Sequence, residues 1–199
     1  LSNTHKALQE GSNRKASDSL EEAYRLDPTH PVVLELMGRQ LIKINKINEA
    51  IDTFERAFDK SRNWEVLYVH IRKHHKANRS SKEIEIIEKA IERSPENISY
   101  LSHQFEYHMS RRNFDQAQLA LLRLQKLRPD SLDSLKMEYH FLHGSKKLSE
   151  ALVVMDAVLA RIPGSKRRWL IRKSTLLHEM GLYHKQIEVL DHLIGNHPS

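Results

Sequence analysis

The sequence predicts an all-α fold, built as a solenoid of antiparallel helix hairpins. Three observations support this prediction: prolines recur at a nearly constant interval, a triplet of apolar positions recurs in the same phase, and turn-forming residues are scarce. The 199 residues include six glycines and six prolines. Sheet-rich folds need more such residues at their turns, so the scarcity favours long helices.

The prolines mark the repeat length. Successive intervals are 67, 34, 34 and 35 residues, and the first is close to two periods, as if one proline were missing near Arg62. Proline has no N–H to donate and restricts the residue before it, so each one is expected to end a helix. The prolines concerned are Pro28, Pro95, Pro129, Pro163 and Pro198.

A triplet of mostly apolar residues, spaced four and then three apart, precedes each expected helix end. This spacing places all three members on one face of a helix. The triplets are Ala16/Leu20/Ala23, Ala50/Phe54/Ala57, Glu83/Ile87/Ala90, Ala117/Leu121/Leu124, Ala151/Met155/Val158 and Gln186/Leu190/Leu193. Their nearly constant phase predicts six equivalent helices with the same buried face.

A second amphipathic segment lies between consecutive triplets. In one unit its apolar stripe is Leu135, Tyr139 and Leu142. Short polar turns, such as the one around Asn45 and the one around Gly181, separate the two segments. The predicted unit is therefore helix, turn, helix, turn, and one such hairpin buries its apolar face only against its neighbours in a stack.

This pattern resembles the tetratricopeptide repeat (TPR) family. The unit from Pro31 to Trp64 matches best, although it has Asn45 where glycine is usual and Arg62 where proline is usual. The matching positions are Leu34, Met37, Gly38, Leu41, Ala50, Phe54 and Ala57. The resemblance implies a right-handed superhelix of six repeats.

The resemblance covers the whole chain as a single solenoid domain, 1–199. The units are roughly 1–30, 31–63, 64–97, 98–131, 132–166 and 167–199. The chain stops at Pro198-Ser199 without a final polar helix, and terminal caps are usually needed for solubility. We therefore expect a fragment of a larger protein.

The first helix of the third unit fits two registers. One places Leu67 and Ile71 in the core with His70 and His74 beside them. The other makes Trp64, Leu67, Tyr68 and Ile71 the core. The sequence alone does not separate them.

Composition excludes several classes of protein. There is no cysteine, so disulfide frameworks and thiolate metal sites are excluded. No apolar run approaches membrane-spanning length, and the first ten residues do not form a signal peptide, so membrane insertion is not expected. No phosphate loop, nucleophile elbow or paired zinc motif is present. The sequence therefore predicts no enzyme, no catalytic residue and no cofactor, and it leaves the cellular location unknown.

In the family that the sequence resembles, outward-pointing positions of the first helices line a concave groove. Six of the 13 histidines occupy these positions: His5, His75, His103, His140, His143 and His178. His140 and His143 lack a fixed third ligand, so no metal site is predicted. The predicted binding residues are Arg39, Lys43, Arg72, Lys76, His103, Lys136, His140, His143, Arg168, Arg172 and His178.

The predicted function is that of a protein-interaction scaffold that binds a peptide segment or a partner domain along this groove. The net charge of +6 is a weak signal for an anionic partner. Two alternatives stay open: recognition of an anionic polymer, such as an acidic polysaccharide or a nucleic acid, and a structural assembly arm of a larger enzyme. Nucleic acid is the less favoured polymer, because basic helical proteins often bind none.

Overall fold

The computed structural model describes residues 18–163 and 166–195, and all regular secondary structure in these ranges is α-helical. The described part of α1 covers residues 18–26. The helices that follow are α2 Pro31–Lys43, α3 Ile47–Phe58, α4 Trp64–Ala77, α5 Lys82–Arg93, α6 Ile98–Ser110, α7 Phe114–Leu127, α8 Leu132–Gly144, α9 Leu148–Arg161, α10 Arg167–Glu179 and α11 Tyr183–Gly195. The predicted all-α class is confirmed.

The turn inside each described hairpin has the same construction. One residue takes a positive φ, and the N–H of the next residue donates to a carbonyl five positions back; Lys46 N–H, for example, donates to Leu41 O at 2.9 Å. This bond closes the end of the first helix. The positive-φ residues are Asn45, Arg79, Arg112, Lys146 and Gly181. Only the last is glycine, so four turns accept the steric cost that a side chain incurs in this conformation.

The chain divides into two compact units, residues 1–92 and 93–199. The first holds α1 to α5 and the second holds α6 to α11, apart from Arg93 at the end of α5. In the first unit α2 packs against α3, and α3 packs against α4. In the second, α6 pairs with α7, α8 with α9 and α10 with α11, and α7 and α9 also contact α8 and α10, respectively.

The core of the first unit forms around Phe54, which is 0% exposed. Gly38 on α2 makes room for it, since a Cβ added there would lie 2.3 Å from Cε1 of the Phe54 ring. Phe58 is also buried and meets Trp64 edge to face, with ring centroids 5.9 Å apart. Ala50 and Ala57, both buried, allow α3 to approach its neighbours closely.

The core of the second unit contains two of the predicted triplets. Ala117, Leu121 and Leu124 on α7 are buried. So are the three triplet residues of α9: Ala151, Met155 and Val158. The α11 triplet is less buried, and Leu190 is 39% exposed, because no described helix follows α11 to cover its outer side.

Arginines at one repeat position tie two of the second helices, α3 and α7, to the turns that precede their own hairpins. Arg56 Nη2 on α3 donates to the carbonyl of Pro28 at 2.9 Å. Arg123 Nη2 on α7 donates to the carbonyl of Pro95 at 3.2 Å. Both contacts span 28 residues. The repeat phase therefore organises polar contacts as well as the apolar core.

The structure decides between the two registers of α4. Leu67, Tyr68 and Ile71 are buried and Trp64 is partly buried, whereas His70 is exposed. The register with Trp64 and Tyr68 in the core is therefore the one adopted. Tyr68 enters the core because its large ring buries more apolar surface there than on the outward side of the helix.

His75 also differs from its predicted place in the groove. It is 6% exposed, and its Nε2 lies 2.5 Å from Oε1 of Glu55 on α3. Lys82 contacts the other oxygen of the same carboxylate at 3.3 Å. His75 thus joins α4 to α3 instead of facing a ligand.

Candidate functional site

The candidate site lies on α8 and α10 of the second unit. Its centre consists of two mostly buried aromatic rings, Tyr139 on α8 and Trp169 on α10, which meet edge to face with centroids 5.4 Å apart. We call the surface formed by Tyr139, His140, His143, Trp169, Arg172 and Glu179 the α8–α10 face. It includes His140, His143 and Arg172, three of the predicted binding residues.

Arg172 is held on the indole of Trp169. Its guanidinium carbon lies 4.8 Å from the Trp169 ring centroid, in a cation–π arrangement. Arg168 lies one helical turn earlier and is exposed. Among the described residues neither arginine forms an ion pair. Both guanidinium groups therefore keep donors for an anion such as a carboxylate.

Glu179 supplies a negative charge within the same face. Its carboxylate accepts from His143 Nε2 at 3.1 Å and lies 3.6 Å from Nζ of Lys146. The hydrogen bond from His143 is the main cause that lowers the pKa of Glu179, with Lys146 adding to it. The Nε2 atom of His143 is thus engaged within the chain and is not available to a partner.

His140 packs beside both aromatic rings of the face. Its ring centroid is 5.3 Å from that of Tyr139 and 6.1 Å from that of Trp169. Desolvation by these neighbours is the main cause that lowers the pKa of His140, and the positive charges of Arg172 and His143 lower it further. Because its pKa is lowered, His140 is mostly neutral at pH 7 and gains its charge at a lower pH than a free histidine.

The remaining predicted residues of the second unit are distributed around this centre. His103 is partly buried on α6. Lys136 pairs with Asp133 at 3.3 Å on its own helix. His178 turns towards α11, where Nδ1 lies 3.3 Å from Oε1 of Gln186 and the ring meets Tyr183. His178 thus stands apart from His140 and His143, although all three share the predicted phase.

The four predicted residues of the first unit lie on α2 and α4. Lys43 and Lys76 are exposed. Arg39 is half-exposed and pairs with Glu35. The Arg72 side chain is only 13% exposed, and its Nε lies 3.7 Å from the buried carboxylate of Glu83. Arg72 therefore joins α4 to α5, which leaves it little capacity to contact a ligand.

Sequence reasoning missed two features of these surfaces. Trp169 is buried and also contacts the guanidinium of Arg172; the spacing of three between them along α10 was the available signal. Glu35 on α2 turns inward: it is 4% exposed and accepts from Asn63 Nδ2 at 3.1 Å and from Ser61 Oγ at 3.4 Å. Nothing in the repeat phase distinguishes such an inward-turned carboxylate from an outward one.

Comparison with known families identifies the chain. The family model "Psidin, N-terminal TPR repeats region" matches residues 1–132, about two thirds of the sequence. The chain belongs to this family. The resemblance to tetratricopeptide repeats that the sequence pattern indicated is thereby confirmed, and with it the all-α solenoid architecture.

Solved structures share this TPR fold at low sequence identity. A tetratricopeptide repeat protein from Parabacteroides merdae is 13% identical, with a TM-score of 0.66 over 96% of this chain and 76% of that one. MamA from Desulfovibrio magneticus is 8% identical, with a TM-score of 0.65 over 83% and 93% of the two chains. YrrB, described as a TPR protein with an unusual peptide-binding site, is 18% identical, with a TM-score of 0.61 over 88% and 91%.

Two further findings complete the comparison. A search of curated protein sequences gives no match to this TPR chain. Among the described residues, no helix is both long and apolar enough to cross a membrane.

Proposed function

We propose that this TPR chain is a protein-interaction scaffold that binds an acidic peptide segment on the α8–α10 face. The observation that carries the proposal is the guanidinium of Arg172, fixed on Trp169 and without an ion pair among the described residues. Arg168 extends the same donor surface by one turn. A carboxylate that reaches these groups gains charge-assisted hydrogen bonds from a side chain that is already oriented.

The charge pattern favours a peptide over an anionic polymer. A polymer needs a continuous row of uncompensated cations, because its affinity comes from the release of counterions. Here Asp133 pairs with Lys136, and Glu179 pairs with both His143 and Lys146. The uncompensated charge of the face is thus confined to the arginines of α10. The peptide-binding site described for YrrB, a protein of the same fold, is in keeping with this choice.

The test is an affinity measurement with the double variant Arg168→Ala/Arg172→Ala. Acidic peptides selected from a peptide library against the unaltered chain serve as probes. Losing two charge-assisted contacts is expected to weaken binding by at least about tenfold. Lys126→Ala/Lys185→Ala is the matched control, since it removes two exposed positive charges from α7 and α11 and leaves α8 and α10 intact.

Two outcomes would contradict the proposal. The first is equal loss of affinity in both double variants, because it would show that binding follows net charge alone. The second is a steep fall in affinity with added salt, of the size seen when many phosphates or sulfates are neutralised, because it would favour the polymer.

Affinity for the acidic peptide is expected to rise as the pH falls from about 7.5 to about 5.5, since protonation of His140 adds a donor and a charge beside Arg172. Burial lowers the pKa of His140, so most of the rise should fall in the lower part of this interval. His140→Ala should abolish most of it. His143→Ala should change it less, because Nε2 of His143 is already engaged by the Glu179 carboxylate at 3.1 Å and is not available to the peptide. Binding titrations of both variants at several pH values would check this, and a larger effect of His143→Ala would refute the assignment.

A further inference from the structure

The exposed faces of α2 and α4 carry the same sequence of side-chain types. On α2 the stripe is Val32, Leu36, Arg39 and Lys43, spaced four, three and four apart. On α4 it is Val66, Val69, Lys73 and Lys76, spaced three, four and three apart. Each spacing follows one face of a helix. Both stripes therefore run from aliphatic at the helix N-terminus to basic at the C-terminus.

The aliphatic ends are exposed. Val32 is 53% exposed, Leu36 45%, Val66 45% and Val69 60%. They are four of the exposed large apolar side chains of the first unit, and they occur on two first helices of neighbouring hairpins. Single exposed apolar residues are ordinary, but a matched group on two helices indicates an interaction surface.

A partly buried polar network links the two aliphatic ends. The carboxylate of Glu35, next to Leu36 on α2, accepts from Nδ2 of Asn63, the residue that precedes α4, at 3.1 and 3.2 Å. Ser61 and Arg39 contact the same carboxylate. Because α2 and α4 each pack on α3 and are joined to it through short turns, they run in the same direction. The Glu35–Asn63 contact therefore joins their aliphatic ends, and the basic residues of both stripes lie towards the opposite, C-terminal ends of the two helices.

The basic ends retain positive charge for a partner. Lys43 and Lys73 are exposed, and neither forms an ion pair within the described part of the chain. The exposed acid beside these stripes, Glu65, lies at the aliphatic end. From Leu36 to Lys43 the helical rise is about 10 Å, the length of about three extended residues.

We propose that this surface, the α2/α4 stripe, docks an acidic protein segment with aliphatic side chains. The aliphatic groups pack over Val32, Leu36, Val66 and Val69, and carboxylates about three residues along the segment reach Lys43 and Lys73. This site is distinct from the α8–α10 face, which recognises its partner through arginine and aromatic rings. One chain would thereby hold two acidic segments, of which the one on the α2/α4 stripe also carries aliphatic side chains.

The experiment uses the full chain and three synthetic peptides with blocked ends. The first has leucines in one half and glutamates in the other, the second replaces the glutamates with lysines, and the third replaces the leucines with serines. Binding is measured by fluorescence anisotropy. The first peptide is expected to bind at least about tenfold more tightly than either of the others, because it alone satisfies both ends of the stripe.

Two double variants locate the site. Leu36→Ser/Val69→Ser should lower affinity for the first peptide at least about tenfold. Lys43→Glu/Lys73→Glu should abolish its binding and create binding of the lysine peptide. Val153→Ser, which alters an exposed valine of α9, and Lys126→Ala/Lys185→Ala, which removes two exposed positive charges from α7 and α11, should leave binding unchanged. Circular dichroism confirms that each variant is folded, as expected for exposed positions.

The proposal is overturned if the unaltered chain fails to bind the first peptide or binds all three equally. Unchanged binding by the folded Leu36→Ser/Val69→Ser variant would overturn it as well. If Arg168→Ala/Arg172→Ala abolishes binding while both α2/α4 variants retain it, the peptide binds the α8–α10 face and the α2/α4 site is wrong.

Discussion

Replacing Phe54 with alanine is expected to lower the free energy of unfolding of the first unit by about 3–5 kcal/mol. The ring is completely buried, so the substitution forfeits its transfer free energy and leaves a cavity next to Gly38. Denaturant unfolding measured through Trp64, in a Trp169→Phe background, reports on this unit. Leu26→Ala is the control, since Leu26 is 82% exposed and its truncation should change stability by less than about 0.5 kcal/mol.

The close contact between Gly38 and the Phe54 ring allows a second, more specific test of the core of the first unit. Gly38→Ala should destabilise the native chain by about 1–3 kcal/mol, because the new methyl group collides with the Phe54 ring. In the Phe54→Ala background the collision is gone, and the higher helix propensity of alanine should make the same substitution stabilising by up to about 1 kcal/mol. If Gly38→Ala had the same effect in both backgrounds, the close approach of Gly38 and Phe54 would not exist in solution.

The repeat and most of its core could be predicted from the sequence, because the helix-ending prolines and the buried apolar residues recur at the same interval. Proline stops helices wherever it occurs, and the triplets are the residues that fill the space between helices. The proline missing near Arg62 is an instructive exception. Here α3 ends at Phe58, and Ser61 and Asn63 form the turn, which Glu35 anchors through hydrogen bonds to both side chains.

The α4 register could not be predicted, because two arrangements bury similar apolar stripes. Tertiary contacts decide between them: Tyr68 enters the core and His75 reaches Glu55 on α3. A sequence pattern reports the direction of a side chain along its own helix. It does not report whether a carboxylate on the neighbouring helix lies within contact distance of that side chain.

The candidate sites show the same limit. Repeat phase predicts that His140, His143 and His178 share an outward direction, and yet His178 contacts Gln186 while His143 pairs with Glu179. Long polar side chains bend towards whichever partner is within reach, so the helix phase constrains their Cβ atoms more than their charged ends. That Arg172 forms no ion pair among the described residues can be recognised only when the ion pairs of its neighbours are known.

Replacing Leu121 with alanine is expected to destabilise the second unit by about 2–5 kcal/mol. Leu121 is the central member of the α7 triplet and 4% exposed, so the loss includes both burial and a cavity between helices. The adjacent Leu122 provides a control of identical chemistry, since it is 53% exposed on the same helix and its truncation should cost less than about 0.5 kcal/mol. Unfolding is followed through Trp169 in a Trp64→Phe background. Equal effects of Leu121→Ala and Leu122→Ala would show that the buried face of α7, and with it the phase assigned to the repeats, is wrong.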